Sequence, residues 1–256
     1  MARLDNKVAV VTGAAMGIGK ATAWLMAQEG ARVAIGDIND TEGETSAQAI
    51  RDNGGEAFFR HTDVTSTEQV RELIEAAVER YGKLDILVNN AAIAVAGTAA
   101  DMSEEDWNRV INTNLTSVWR GMKFALPHML QNGGGSIVNV SSVQSLLGFS
   151  GWAAYAAAKG GINALTQQAA VDYSPRNIRI NAVAPGTIMT PMNERIFEET
   201  EDAETLIATW NSMHALGRFG QPEEVAQLIV FLASDEASFI TGEVVRVDGG
   251  MTIKGS

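Results

Sequence analysis

Lys7-Val8-Ala9-Val10-Val11-Thr12-Gly13-Ala14-Ala15-Met16-Gly17-Ile18-Gly19 is the stretch whose reading decides the fold. Residues 7–11 are short, apolar and rich in β-branched side chains, as a strand covered on both faces requires. The strand runs straight into a glycine-bearing turn, and helix-period sequence follows from about residue 17 to 29. Such a turn lets backbone N–H groups approach a pyrophosphate, and the helix N-terminus adds partial positive charge. The spacing is Gly-x-x-x-Gly-x-Gly, not Gly-x-Gly-x-x-Gly. Gly13 suits the tight bend, Gly17 close phosphate approach, and Gly19 packing of the helix on the sheet, with Met16 and Ile18 completing the turn.

Outward from this unit the same alternation repeats. Strands are expected at 32–36, 56–61, 85–88, 136–140, 178–183 and 244–247. Helices are expected at 41–52, 67–81, 103–130, 151–174 and 222–233. Strands alternating with helices imply right-handed crossovers and an α/β architecture: a single Rossmann-like, doubly wound parallel sheet with helices on both faces, spanning residues 1–256. One segment reads as an insertion, about 190–218, acidic between Glu198 and Glu204 and carrying Met192, Phe197, Trp210 and Met213. It follows a strand's carboxyl end, where open α/β sheets place ligands, so it is either a substrate lid or a surface helical pair with a buried stripe.

Composition narrows the function. Hydrophobic residues make up 46% and charged residues 20%, enough apolar material for a sizeable core. A formal charge of −12 argues against a nucleic-acid partner, whose affinity is built on positive surface. Cysteine is absent, which excludes disulfides and thiolate chemistry. No apolar run approaches the roughly 20 residues of a membrane span, and no signal peptide is evident, so a cytoplasmic protein is expected. His61, His128 and His214 are scattered and form no metal-ligand cluster; His61 should end a strand, His128 lie on a helix, and His214 lie in the 190–218 segment, at the surface or else touching substrate. Lys20 and Arg109 read as solvated helix charges.

Asp37 closes the second strand, eighteen residues after Gly19. A carboxylate there can accept hydrogen bonds from both ribose hydroxyls of NAD and would repel a 2′-phosphate. Met16 stands where a phosphate-binding cation could have been, so NAD is expected over NADP. Asp37 could instead initiate the next helix, a role Asp40 can also fill.

Tyr155 and Lys159 stand four apart, on one face of the 151–174 helix, and Ser142 lies thirteen residues before the tyrosine. A phenol with a pKa of about 10 is a poor base at neutral pH. A nearby ammonium and an oxidised nicotinamide both favour phenolate, and lowering the pKa by about 3 requires roughly 4 kcal/mol. Tyr155 could then take a proton from an alcohol, or return it to a forming alkoxide, while Ser142 fixes the substrate oxygen.

With these motifs in order, the chain strongly resembles the short-chain dehydrogenase/reductase family over essentially its whole length. The matching residues are Thr12-Gly13-Ala14-Ala15-Met16-Gly17-Ile18-Gly19, Asp63-Val64, Asn89-Asn90-Ala91-Ala92, Asn114, Ser142, Tyr155, Lys159, Pro185-Gly186-Thr187-Ile188-Met189-Thr190 and Asp248-Gly249-Gly250. The resemblance implies a Ser142–Tyr155–Lys159 core completed by Asn114, which in the family shapes a helix kink and holds a water linked to the lysine. Lys159 would also bond the nicotinamide ribose. Asp63 and Val64 would contact adenine, Asn90 the adenine-side ribose region, and Ile188 and Thr190 the carboxamide, in the Pro185-Gly186 turn. Ala92 stands where the family usually has glycine. A homo-oligomer, most often a tetramer, is implied as well.

Gln144 and Trp152, with Ser142 and Tyr155, are the candidate substrate contacts; Leu146, Ala94, Val95 and Trp210 could border them. Their apolar majority suggests a small-molecule alcohol or ketone, alicyclic or otherwise bulky. The expected activity is NAD-dependent interconversion of a secondary alcohol and a ketone. The alternatives are a 3-oxoacyl-thioester (acyl carrier protein) reductase, which Asp37 and the −12 charge oppose, and a non-catalytic cofactor-binding protein.

Overall fold

The computed structural model describes residues 2–254. Its strands are β1 (Val8–Thr12), β2 (Arg32–Asp37), β3 (Glu56–His61), β4 (Ile86–Asn89), β5 (Gly135–Val140), β6 (Ile178–Pro185) and β7 (Val244–Val247). Its helices are α1 (Gly17–Gln28), α2 (Asp40–Asp52), α3 (Thr67–Tyr81), α4 (Glu104–Ile111), α5 (Ser117–Gln131), α6 (Ala153–Tyr173), α7 (Pro191–Glu198), α8 (Ala203–Met213) and α9 (Pro222–Ala233).

All seven strands are parallel, in the order β3-β2-β1-β4-β5-β6-β7. Side chains alternate across the strands, so each strand feeds two cores. Ala9 and Val11 of β1 face Ala23 and Met26 of α1 and Val225 and Ile229 of α9. Val8 and Val10 join Leu73 of α3, Met122 of α5 and Ile162 of α6 on the other face. Fully covered faces explain why the strands carry apolar runs rather than an alternating pattern.

Side-chain caps set several helix starts: Asn39, Ser66, Ser103 and Asp202 each accept a hydrogen bond from the third amide of the following helix. The winding direction reverses between β1 and β4, which opens a crevice beyond their carboxyl ends.

One expectation changes in detail. The helix expected at 103–130 is interrupted between α4 and α5 by a π turn over Asn112–Thr116. The inserted residue shifts the bonding register and turns Asn114 inward, which hydrophobic periodicity cannot reveal. The 190–218 segment folds as α7 and α8. Phe197 is buried there, stacked on Phe219 at 5.5 Å and edge-on to Trp210 at 5.5 Å.

Candidate active site

The glycine turn after β1 is built for close approach. Gly13 and Gly17 have φ of 64° and 57°, a backbone region that disfavours side chains. A Cβ on Gly13 would lie 2.7 Å from Ala91 Cα, and one on Gly19 would lie 2.1 Å from the Gly13 carbonyl oxygen. Met16 caps α1 without any side-chain hydrogen bond, and the first turn of α1 holds no acidic residue. The N–H groups at the start of α1 thus meet no acidic side chain from the helix's own first turn, which fits a dinucleotide pyrophosphate. Asn90 braces the turn, its Nδ2 donating to the carbonyls of Thr12 at 3.1 Å and Gly13 at 2.8 Å.

Asp37 ends β2 beside this turn. Its carboxylate accepts the N–H groups of Ala15 and Asn39, both at 3.0 Å, which fixes its orientation. Asn39, not Asp37 or Asp40, supplies the cap of α2. At the end of β3, Asp63 accepts the Thr65 N–H and hydroxyl, and Val64 is buried. Arg120 of α5 donates to the Val64 carbonyl and to both oxygens of Asn112, tying this loop to the start of the π turn.

Beyond β6, Pro185 ends the strand and Gly186 donates to Val247. Met189 donates to Gly220, Gly220 donates to Thr187, and Asn193 Nδ2 donates to the Ile188 carbonyl. None of these bonds uses the Ile188 N–H. Thr190 precedes α7 but its hydroxyl makes no capping bond. A Cβ on Gly17 would meet Thr190 Cγ2 at 3.3 Å, so this loop and the glycine turn close on one another.

Ser142, Tyr155 and Lys159 come together where β5 ends against α6. Lys159 is buried, and its Nζ donates to the Val140 carbonyl at 2.7 Å while standing 5.4 Å from the Tyr155 ring centre. Ser142 opens the short 3-10 turn Val143–Ser145, its hydroxyl accepting the Gln144 N–H. Trp152 packs edge-on to Tyr155 with ring centres 6.4 Å apart. Asn114 is fully buried; its amide donates to the Ile93 carbonyl and accepts the Ile93 N–H, both at 2.9 Å, and so clamps the loop after β4. Gln144 Oε1 is buried and has no hydrogen-bond partner among the described residues.

Burial, not the lysine, dominates the electrostatics of the protein by itself. It pushes the Tyr155 phenol up to about 12, against an opposing pull from the Ser142 hydroxyl. It pushes the Lys159 ammonium down to about 7. The expected acidification of Tyr155 by Lys159 is therefore not a property of the chain alone.

Several supporting residues escaped the sequence reading. Ser141 donates its hydroxyl to the Lys159 carbonyl. Asn163, one helical turn past Lys159 on the same face, donates to the Ser145 hydroxyl, which in turn donates to the Ser142 carbonyl. The i, i+4, i+8 spacing of Tyr155, Lys159 and Asn163 was the available signal. His214 is buried rather than at the surface, because the end of α8 folds back onto the loop after β6. His61 and His128 stand as expected, beside Asp40 and Glu75. Among the described residues no group of three or more His, Asp or Glu could hold a metal, and no helix is long and apolar enough to cross a membrane.

A parallel sheet wound on both faces, a glycine turn at its switch point and a buried phenol on α6 against the end of β5 define a Rossmann-type oxidoreductase. Residues 13–252 match a family model described as enoyl-(acyl carrier protein) reductase. The chain is 46% identical to the 3-oxoacyl-(acyl-carrier-protein) reductase FabG of Thermotoga maritima, over 98% of this chain and all of that protein. It is 42% identical to the cyclohexanol dehydrogenase of an Acinetobacter species, over 98% of this chain and 97% of that one. The crystal structure of levodione reductase superposes with a TM-score of 0.96 at 33% identity, covering 99% of this chain and 100% of that one. The chain belongs to the short-chain dehydrogenase/reductase family, whose members use nicotinamide cofactors.

Proposed function

We propose that this protein is an NAD-dependent oxidoreductase that interconverts a neutral secondary alcohol and its ketone. The observation that carries the reading is the convergence of Ser142, Tyr155 and Lys159 beside the glycine turn. Tyr155 exchanges a proton with the substrate oxygen. Ser142 holds that oxygen by its hydroxyl. Lys159 orders the ribose side of the site, and Asn114 keeps the neighbouring loop in place. The bound cofactor supplies the redox equivalent and, when oxidised, a positive charge over the site. A phenol kept protonated through the neutral range, as burial alone leaves Tyr155, is ready to donate to a forming alkoxide. Proton removal from an alcohol requires the added positive charge.

Asp37 supports NAD over NADP, since a carboxylate already fixed by two backbone N–H groups cannot turn away from a 2′-phosphate. Leu146, Leu147 and Met192, exposed and apolar, together with Trp152, support an alicyclic or bulky neutral substrate. The loop and helices at 190–218 form the lid, and Gly13, Met16, Gly17, Ile18, Gly19, Asp63, Val64, Asn90, Pro185, Gly186, Ile188 and Thr190 line the cofactor. The protein works in the cytoplasm as a homo-oligomer, in keeping with exposed Trp107, Trp119 and Phe239. A second reading, 3-oxoacyl-thioester reduction, is favoured by the identity with the Thermotoga reductase and opposed by the −12 charge, which suits an acidic carrier poorly.

The deciding experiment follows NADH formation with a panel of cyclic and open-chain secondary alcohols, and NADPH consumption with an acetoacetyl thioester. Turnover of the alcohols with NAD is expected. Replacing Tyr155 by phenylalanine should lower kcat by at least about 100-fold; an unchanged rate rules out Tyr155 as the proton carrier.

A further inference from the structure

We infer that His214 is a positioning residue that fixes the loop between β6 and α7 against the end of α8, and thereby sets the affinity for the nicotinamide end of the cofactor. The inference rests on the cofactor reading of that loop given above. His214 is only 2% exposed. Its Nδ1 faces the Trp210 carbonyl at 2.9 Å, and its Nε2 accepts the Thr187 N–H at 3.1 Å. A carbonyl can only accept and an amide N–H can only donate. The two neighbours together therefore dictate a neutral imidazole with its proton on Nδ1.

The contact is a built one. A Cβ on Gly186 would come within 2.9 Å of His214 Nε2, so the glycine leaves the space that the ring fills. Phe219 packs edge-on to the imidazole at 6.1 Å. On the far side, Leu216 donates to the Gly249 carbonyl and Gly217 donates to that of His214. The loop is thus held at Gly186 by β7, at Thr187 by His214, and at Thr187 and Met189 by Gly220. Without His214 the half-buried Thr187 N–H loses its acceptor, and the loop must shift to find another. Ile188 and Thr190 move with it.

Two substitutions separate the two hydrogen bonds. Asparagine at 214 places its amide near the Nδ1 position and can still donate to Trp210, but reaches Thr187 no longer. Glutamine reaches the Nε2 position and can accept from Thr187. Calorimetric titration with NAD and NADH should show His214→Asn weakened by about tenfold or more, with the KM for cofactor raised more than kcat is lowered. His214→Gln should restore most of the affinity. Equal affinity in all three proteins, or equal loss in both variants, overturns the inference. Should a variant fail to fold, nitrogen-15 NMR of the parent imidazole answers instead. The Nδ1–H tautomer supports the proposal, and the Nε2–H tautomer or a protonated ring refutes it. A parent protein that binds neither NAD nor NADP defeats the cofactor reading, which is a separate outcome from the tautomer.

Discussion

Replacing Lys159 by methionine should make the protein more stable at neutral pH while abolishing activity. Lys159 is 2% exposed and its ammonium has one hydrogen-bond partner among the described residues, the Val140 carbonyl. Its ammonium falls from 10.5 to about 7 on burial, a gap equivalent to about 5 kcal/mol at acidic pH. The folded pKa is the depressed one, so between pH 7 and 10.5 the unfolded chain holds more protons and stability rises with pH. Integrated from pH 7 to 9.5, the gain in the parent is about 3 kcal/mol. Methionine removes the buried charge but leaves the Val140 carbonyl without its donor, which costs about 1–3 kcal/mol at every pH. The variant should therefore exceed the parent by roughly 2 kcal/mol at pH 7 and lose that advantage by pH 9.5. Urea unfolding of both proteins without cofactor, at matched protein concentration, measures the difference and cancels the groups they share. Parallel pH dependences for parent and variant would refute the burial account of Lys159.

Gly19→Ala should destabilise by at least about 2 kcal/mol and abolish cofactor binding. Its Cβ would lie 2.1 Å from the Gly13 carbonyl and 2.5 Å from Asn90 Nδ2, whereas Gly160→Ala, with open space, serves as the stability control in the same thermal melt. Asp37→Ser should lower the ratio of kcat/KM for NAD over NADP by at least about tenfold, since the repelling charge is gone; an unchanged ratio places the preference elsewhere. The same substitution should cost about 1–3 kcal/mol in urea unfolding, because the Ala15 and Asn39 N–H groups lose their charged acceptor.

Much of this molecule is legible locally. The strand-to-helix alternation follows from apolar runs, glycine stops and helical spacing, and these depend on near neighbours in the chain. The glycine turn, Asp37, and the Tyr155–Lys159 pair declare themselves for the same reason, since each requirement is met within a few residues. Ser142 needed only the end of a strand. The π turn at Asn112–Thr116 was not legible in the hydrophobic pattern, which one extra residue leaves almost intact; only the family resemblance pointed to a kink at Asn114.

Tertiary structure alone decided the rest. The chain dictated a doubly wound sheet and which motifs follow the carboxyl ends of its strands. It could not dictate that Tyr155 and Lys159 would be driven by burial in directions opposite to mutual stabilisation, or that Asn163 would reach Ser145 and His214 would reach Thr187. Desolvation and through-space hydrogen bonds depend on every element that closes around a group, and residues far apart in sequence determine them together.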